Sequence, residues 1–564
     1  MLVHFLVFIY MFITSYTIGR YCTTLLVRHL FRTDNHLHPA LYSATGLGYI
    51  MVAAGFFSLF APIGLLFNII LCLATVACYF LERRNGGRFS FDMYPGMAWK
   101  ASIAFLLFSL LFVLIKSSGP VTNPDTGGYH LPFVKWTEQY PVIKGLASVH
   151  SRFGFNYQYL VLAAVYGFSF LNIPTLHATN GYIMLLLLWY VVTSMDFVRG
   201  KGLSWLDIVK LIMLFFVINM SNAMSSISPD FPASALSILV ILLTLDKIQD
   251  GSFYKFDCLA LLVFLLSIFA VLFKLSGLPV LLFCTVFAAA IFKKRSYLIV
   301  CLSIGMISLI PYLIRNYLIS GYLIYPLYSL DLFDVPWKSP LEIVIAEKEV
   351  VKYYALGLPV GANVSFAEMI RSWLGYLRSS NPVYVYIVYL MGVCILLNIA
   401  MALYALFRKI FFERLPLILV NLFLIISLIY WFSLGPDPRF GNGYIIPFIA
   451  ITLALCIQGI VKKMQPVFVY GALSVFLLLQ VAMLKGAAIS RSQNNKDNVV
   501  AFNLISPAPY AVPDTFSMYL KEGIKVYKTR NNTQCWDAPL PCTIEREVFK
   551  AQGEKIHDGF LPEH

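Results

Sequence analysis

Asp125, His130 and Asp230 are the side chains in this chain best suited to move a proton, and Lys274, Arg315 and Arg439 those best suited to hold a phosphate. Asp125, Tyr129 and His130 belong to Asn123-Pro-Asp-Thr-Gly-Gly-Tyr-His130, which follows the apolar stretch 101–115. Asp230 lies in Ser228-Pro-Asp-Phe-Pro232, and Lys274 in Phe273-Lys-Leu-Ser-Gly277. Arg315 and Asn316 lie in Pro311-Tyr-Leu-Ile-Arg-Asn-Tyr317, and Asp437 and Arg439 in Gly435-Pro-Asp-Pro-Arg-Phe-Gly-Asn442. The segment that begins at Asp125 also carries Lys135, Glu138, His150 and Arg152. A carboxylate can take the proton of an acceptor hydroxyl. Cations bind a phosphate and stabilise the charge that grows on it as it leaves; arginine grips it as a fork, lysine as a point charge. Each group also has a plainer reading. Asp125 can close an Asx turn, Lys274 can snorkel to lipid headgroups, and Asp437 can pair with Arg439 to fix a tight loop. Gathered on one side of one bundle, the set fits transfer from a lipid phosphate better than five unrelated anchors.

The elements that must bring these groups together are membrane helices. The chain is 59% hydrophobic and 12% charged, where soluble domains carry about 25% charged residues. Apolar stretches recur from end to end, each broken by charge, proline or glycine. This pattern predicts an all-α polytopic membrane protein. The expected spans are 2–19, 40–60, 62–81, 100–115, 177–195, 205–219, 232–246, 257–273, 277–292, 297–314, 383–407, 415–433, 443–461 and 466–484, about 14 in all. The first has no basic leader and no small-residue cleavage site, so it reads as a retained span. Lysine and arginine set the orientation. One side collects Arg83, Arg84, Lys293, Lys294, Arg295 and Arg408 among others, while the short loops of the other hold only Lys274 and Arg439. That asymmetry survives only if the apolar stretch 157–171 does not cross, which makes it a re-entrant or surface helix whose backbone must be covered by protein. Both termini then fall on the extracytoplasmic side, with a transmembrane domain 1–484, two long outer loops (116–176 and 315–382) and a small outer tail (485–564).

The net charge of +14 is mostly this inner-side bias and points to anionic membrane lipids, not to nucleic acid. Eight of the ten cysteines lie in or beside spans, where a free thiol acts as a small apolar side chain. Cys535 and Cys542 sit in the outer tail, in Cys535-Trp-Asp-Ala-Pro-Leu-Pro-Cys542. An oxidising location favours a disulfide, expected to stabilise the tail locally and to matter little for catalysis. A metal pair is the alternative, against which no histidine or third cysteine stands close by.

In their order these segments resemble the GT-C superfamily of integral-membrane glycosyltransferases. The resemblance rests on an aspartate in the first large loop, further loop carboxylates, and an Arg-Asn…Gly-Tyr…Tyr-Pro stretch (Arg315 to Pro326), and covers about 100–445. It implies a GT-C-like helix bundle in the bacterial cytoplasmic membrane, working on the outer face. The donor would be a polyprenyl-phosphate sugar and the acceptor a glycan, lipid or protein. Asp125 would be the catalytic carboxylate, with Asp230 a second acid and His130 beside them. Lys274, Arg315 and Arg439 would contact the donor phosphate, with Tyr129, Arg152, Asn316 and Asp437 completing the substrate site. The resemblance fixes no cofactor; a divalent cation, magnesium or manganese, stays open. Asp125 lacks the Asp-x-Asp or Glu-x-Asp pair that many members use, which weakens a metal site. A polysaccharide polymerase or ligase, a flippase of lipid-linked glycan and a non-catalytic assembly subunit are the other readings. The scattered amides Asn68, Asn398 and Asn421 are a thin polar lining for a flippase.

Overall fold

In the computed structural model the residues described are 1–33, 36–86, 96–408, 411–461, 463, 465–494, 504–530, 534–544 and 549–563. Among them, 12 helices are long and apolar enough to cross a membrane. The chain is a multi-pass membrane protein. Two further apolar helices, Thr179–Thr193 and Cys258–Phe273, occupy the two remaining expected spans but are shorter. The second stops at Lys274, whose backbone is extended, and the chain continues as a tighter helix, Leu275–Phe287, with Pro279 inside it. Proline can neither donate to the helix nor clear the carbonyl four residues back.

Helix Asp230–Gln249 is the centre of the bundle, 89% buried over its apolar window, whereas Pro382–Phe407 is only 17% buried. Arg295–Ser320 likewise turns Ile299, Leu302, Met306 and Ile310 outward. Such exposed apolar faces have hydrocarbon as their natural solvent. Close helix contact uses small residues. Gly19 lies against the Tyr42 carbonyl and Gly46 against that of Ser15, so helices Leu2–Phe31 and Pro39–Phe57 touch backbone to backbone. The segment expected to dip without crossing forms helix Gln158–Val165. Eight residues rise only about 12 Å, and every one is buried, so its backbone is covered by protein.

The ends of these helices sort the loops. The N-terminus joins the tail through Leu2 N–H to the Leu504 carbonyl (2.8 Å) and Val3 N–H to that of Ile505 (3.0 Å). His4 meets Ser117 at the end of helix Met97–Ser117. The N-terminus, the start of the tail and the segment holding Asp125 therefore share one end of the bundle. There the long 315–382 connection forms two helices, Leu341–Leu356 and Phe366–Ser380. The latter begins with a Ser365/Glu368 capping box and buries Trp373 and Leu377.

Helix Gln465–Asn494 runs beyond the last expected span. Of the expected tail, 495–503, 531–533, 545–548 and 564 lie outside the described residues. The rest adds strands to the otherwise helical chain. Thr515–Tyr519 pairs antiparallel with Lys525–Thr529, which pairs parallel with Cys542–Thr543. Phe549–Ala551 pairs with Phe560–Pro562. Cys535 and Cys542 form a disulfide, their Cα atoms 6.0 Å apart.

Candidate active site

Four of the groups singled out in the sequence sit where a helix starts or breaks. Asp230 opens helix Asp230–Gln249, with Ser228 Oγ accepting its N–H at 3.4 Å. Asp437 precedes helix Pro438–Val461. Its carboxylate takes the Arg439 N–H at 3.0 Å, and Pro438 occupies the first helical position, where no N–H is needed. Lys274 marks the break after Phe273. Asp125 precedes Thr126–His130, a π-helical turn, a geometry that recurs at functional sites. The Asx turn does form there, but Asn123 makes it, accepting the Asp125 N–H at 2.9 Å. The Asp125 carboxylate is left free for other partners.

Those partners draw the site together. Arg439 Nη1 lies 3.0 Å from Asp125, while its Nε lies 3.0 Å from Asp437 and 3.9 Å from Asp230. Lys274 is in direct contact with the other Asp230 oxygen. Arg152 reaches Asp125 at 3.4 Å and Glu347 at 3.5 Å. Four carboxylates thus face three cations around one guanidinium. Arg439 and Arg152 remain about a third exposed (32% and 31%), Asp125 19%, so the cluster opens to solvent on one side. Aromatic rings form its walls. Lys274 Nζ sits 3.8 Å above the Phe440 ring and 5.5 Å from that of Tyr157, and Arg152 lies over Tyr129 at 5.3 Å.

His130 is 1% exposed, and neither ring nitrogen has a hydrogen-bond partner. Its ring lies 4.2 Å from that of Tyr129 and 6.4 Å from that of Tyr157. Burial pushes its pKa down to about 4 against the pull of Asp125 and Asp230, so it is a neutral imidazole at pH 7. Burial, followed by the charge of Arg152, takes His150 down to about 3. Burial raises Asp437 and lifts the phenols of Tyr129 and Tyr157 well above their ordinary value.

Two expected contacts lie elsewhere. Arg315 is 2% exposed and donates to Asn156 Oδ1 (3.0 Å) and Ser58 Oγ (2.6 Å). It braces the residue before Tyr157 instead of facing the carboxylates. Asn316 donates to the Leu323 carbonyl at 2.9 Å and holds the turn that follows its helix. Glu347 was not singled out from sequence, yet it anchors Arg152 and accepts from Ser151 Oγ at 2.7 Å. It stands among Glu342, Lys348, Glu349 and Lys352, a charge-rich stretch that gives no reason to prefer it. Among the described residues no group of three or more His, Cys, Asp or Glu side chains is placed to hold a metal ion. Asp125, Asp230 and Asp437 are each turned onto a protein cation, which does not fit a divalent ion among them.

A family model matches residues 1–446, which carry every member of this cluster. The chain belongs to that family, described as a domain of unknown function (DUF8201). No curated protein and no solved structure matches the chain. The DUF8201 match stops short of the disulfide-bonded tail.

Proposed function

We propose that this chain is a membrane glycosyltransferase of GT-C type. It would transfer a sugar from a polyprenyl-phosphate carrier to a hydroxyl of a glycan, lipid or protein acceptor on the outer face of the bacterial cytoplasmic membrane. One observation carries the reading: Asp125 and Asp230, from segments about a hundred residues apart, converge on Arg439 at a solvent-open end of the bundle, with Arg152 paired to Asp125 and Lys274 to Asp230. The charge bias of the loops supports an outer location for that end.

The paired state is a resting state in this scheme. A donor phosphate arriving at Arg439 and Arg152 competes for the cations that hold Asp125. The released carboxylate takes the acceptor proton as the hydroxyl oxygen bonds to the anomeric carbon. The bond from that carbon to the phosphate oxygen breaks, and its electron pair stays on the polyprenyl phosphate. Arg439, Arg152 and Lys274 stabilise that charge. His130 is neutral and buried beside the carboxylates, and has hydrogen-bonding capacity to offer the acceptor. No step passes through a metal.

Complete pairing of the carboxylates also favours a second reading, a charge lock that only holds the loops of an assembly subunit. One experiment separates the two. The full chain in nanodiscs is given polyprenyl-phosphate-linked sugars extracted from membranes, and sugar loss from the lipid and polyprenyl-phosphate binding are measured. The enzyme reading expects turnover, and carrier binding weakened about ten- to a hundredfold by Arg439→Met, equal to the roughly 1.5–3 kcal/mol of a charge-assisted contact. Absence of both binding and turnover in the wild-type protein leaves the charge lock.

A further inference from the structure

Pro132 leaves a gap in the turn that carries Asp125 and His130. Within Thr126–His130 the Leu131 N–H already bonds the Thr126 carbonyl, five residues back. The next carbonyl, that of Gly127, would need the N–H of residue 132, and proline has none. The tail supplies the missing donor: the Trp536 N–H reaches the Gly127 carbonyl at 2.8 Å. The indole fills the space where a side chain at 127 would be, since a Cβ there would collide with Trp536 and Gln534. Trp536 is held with a φ of 42°, in the left-handed region that an aromatic residue adopts only when its surroundings enforce it.

Two further contacts fix the same loop. Lys135, on the helix that follows the turn, is 8% exposed. It donates to the Asp537 and Ala538 carbonyls (2.9 and 2.7 Å) and pairs with the Asp537 carboxylate at 2.8 Å. Thr543, just past Cys542, donates through its hydroxyl to the Val149 carbonyl at 2.7 Å, three residues before Arg152. The loop therefore grips both the turn bearing Asp125 and the stretch bearing that carboxylate's partner.

We propose that the disulfide-closed loop Cys535–Cys542 is a positioning element for the candidate active site, acting through Trp536 on the Gly127 carbonyl and through Asp537 and Ala538 on Lys135. It rests on the proposed function only in treating the Asp125 segment as catalytic. Closing the ring by a disulfide limits the conformations the loop can explore, which keeps Trp536 facing Gly127.

Amide hydrogen exchange on the full-length protein in nanodiscs tests the grip directly. Peptides covering 126–136 should exchange at least about tenfold faster in the Cys535→Ser/Cys542→Ser double variant and in Lys135→Met, while those of helix Asp230–Gln249 keep their wild-type rate. Lys135→Arg, which can still donate to both carbonyls, should restore most of the protection. Wild-type exchange at 126–136 in both disrupted variants overturns the inference, and so does a bundle-wide rise, which would make the loop a global stabiliser. Transfer activity measured on the same samples decides a different matter. Faster exchange with unchanged turnover upholds the clamp and removes the Asp125 segment from catalysis.

Discussion

Asp125→Asn should give a protein that folds, binds donor and does not turn over. The side chain keeps its size and can still accept at one oxygen, but it no longer carries charge or takes a proton. Loss of a positioned base lowers the rate about 10²–10⁴-fold, or roughly 3–5 kcal/mol of barrier. The stability change is much smaller, for a reason visible in the cluster. Arg439 keeps Asp437 and Asp230, and Arg152 keeps Glu347, so neither cation is stranded. The two ion pairs that the substitution removes, at 3.0 and 3.4 Å, join groups open to solvent on one side, and exposed pairs contribute about 0–1 kcal/mol each. Thermal unfolding in detergent should therefore shift by no more than a few degrees. The assay is sugar transfer from lipid-linked donor in nanodiscs, with carrier binding measured on the same preparation. Wild-type turnover by Asp125→Asn would refute the role of base, and the charge lock would then be the better account of the cluster.

Arg315→Ala should behave differently, because it removes two buried charge-assisted hydrogen bonds, to Asn156 Oδ1 and Ser58 Oγ, which keep only their bonds to Gln158 Nε2 (3.4 Å) and the Gly55 carbonyl (2.8 Å). A loss of about 1.5–3 kcal/mol is expected, read as a lower melting temperature; a fully stable variant with weakened donor binding would return Arg315 to the phosphate. Glu138, buried against Thr175 at 2.6 Å, has its pKa pushed up to about 7 by burial. The folded protein then binds more protons than the unfolded chain between about pH 4.5 and 7, so stability falls as pH rises through that window. Glu138→Gln should flatten the fall, and identical melting profiles for variant and wild type from pH 5 to 8 would contradict this. For topology, single cysteines in place of Lys293 or Arg295 should resist an impermeant thiol reagent applied to intact cells, while one at Gly128, where a side chain meets open space, should react. The reverse pattern would place the cluster inside.

The places of the apolar helices, and the short one within 157–171, were legible because hydrocarbon imposes a simple rule on composition and length. Apart from Glu347, the groups of the cluster were legible for the same reason: a charge at a helix end among apolar spans costs free energy, and such charges are few. Which of those charges meet was not legible. Arg315 and Arg439 look alike in sequence, each beside an asparagine or aspartate at the edge of a span. The difference lies in register. Arg439 stands in the first turn of its helix, next to Asp437 and facing the loops, whereas Arg315 is a full turn inside the end of Arg295–Ser320, where Ser58 and Asn156 are within reach. A shift of a few residues thus decides between a group open to ligand and a buried brace, and boundaries read from hydropathy are no finer than that. Glu347 and Trp536 were hidden for another reason. Each acts through a partner distant in sequence, Arg152 in one case and the Gly127 carbonyl in the other. The second link carried a partial trace: Gly127 and Pro132 together announce a carbonyl that its own helix cannot satisfy, and a buried acceptor of that kind must find a donor elsewhere in the chain.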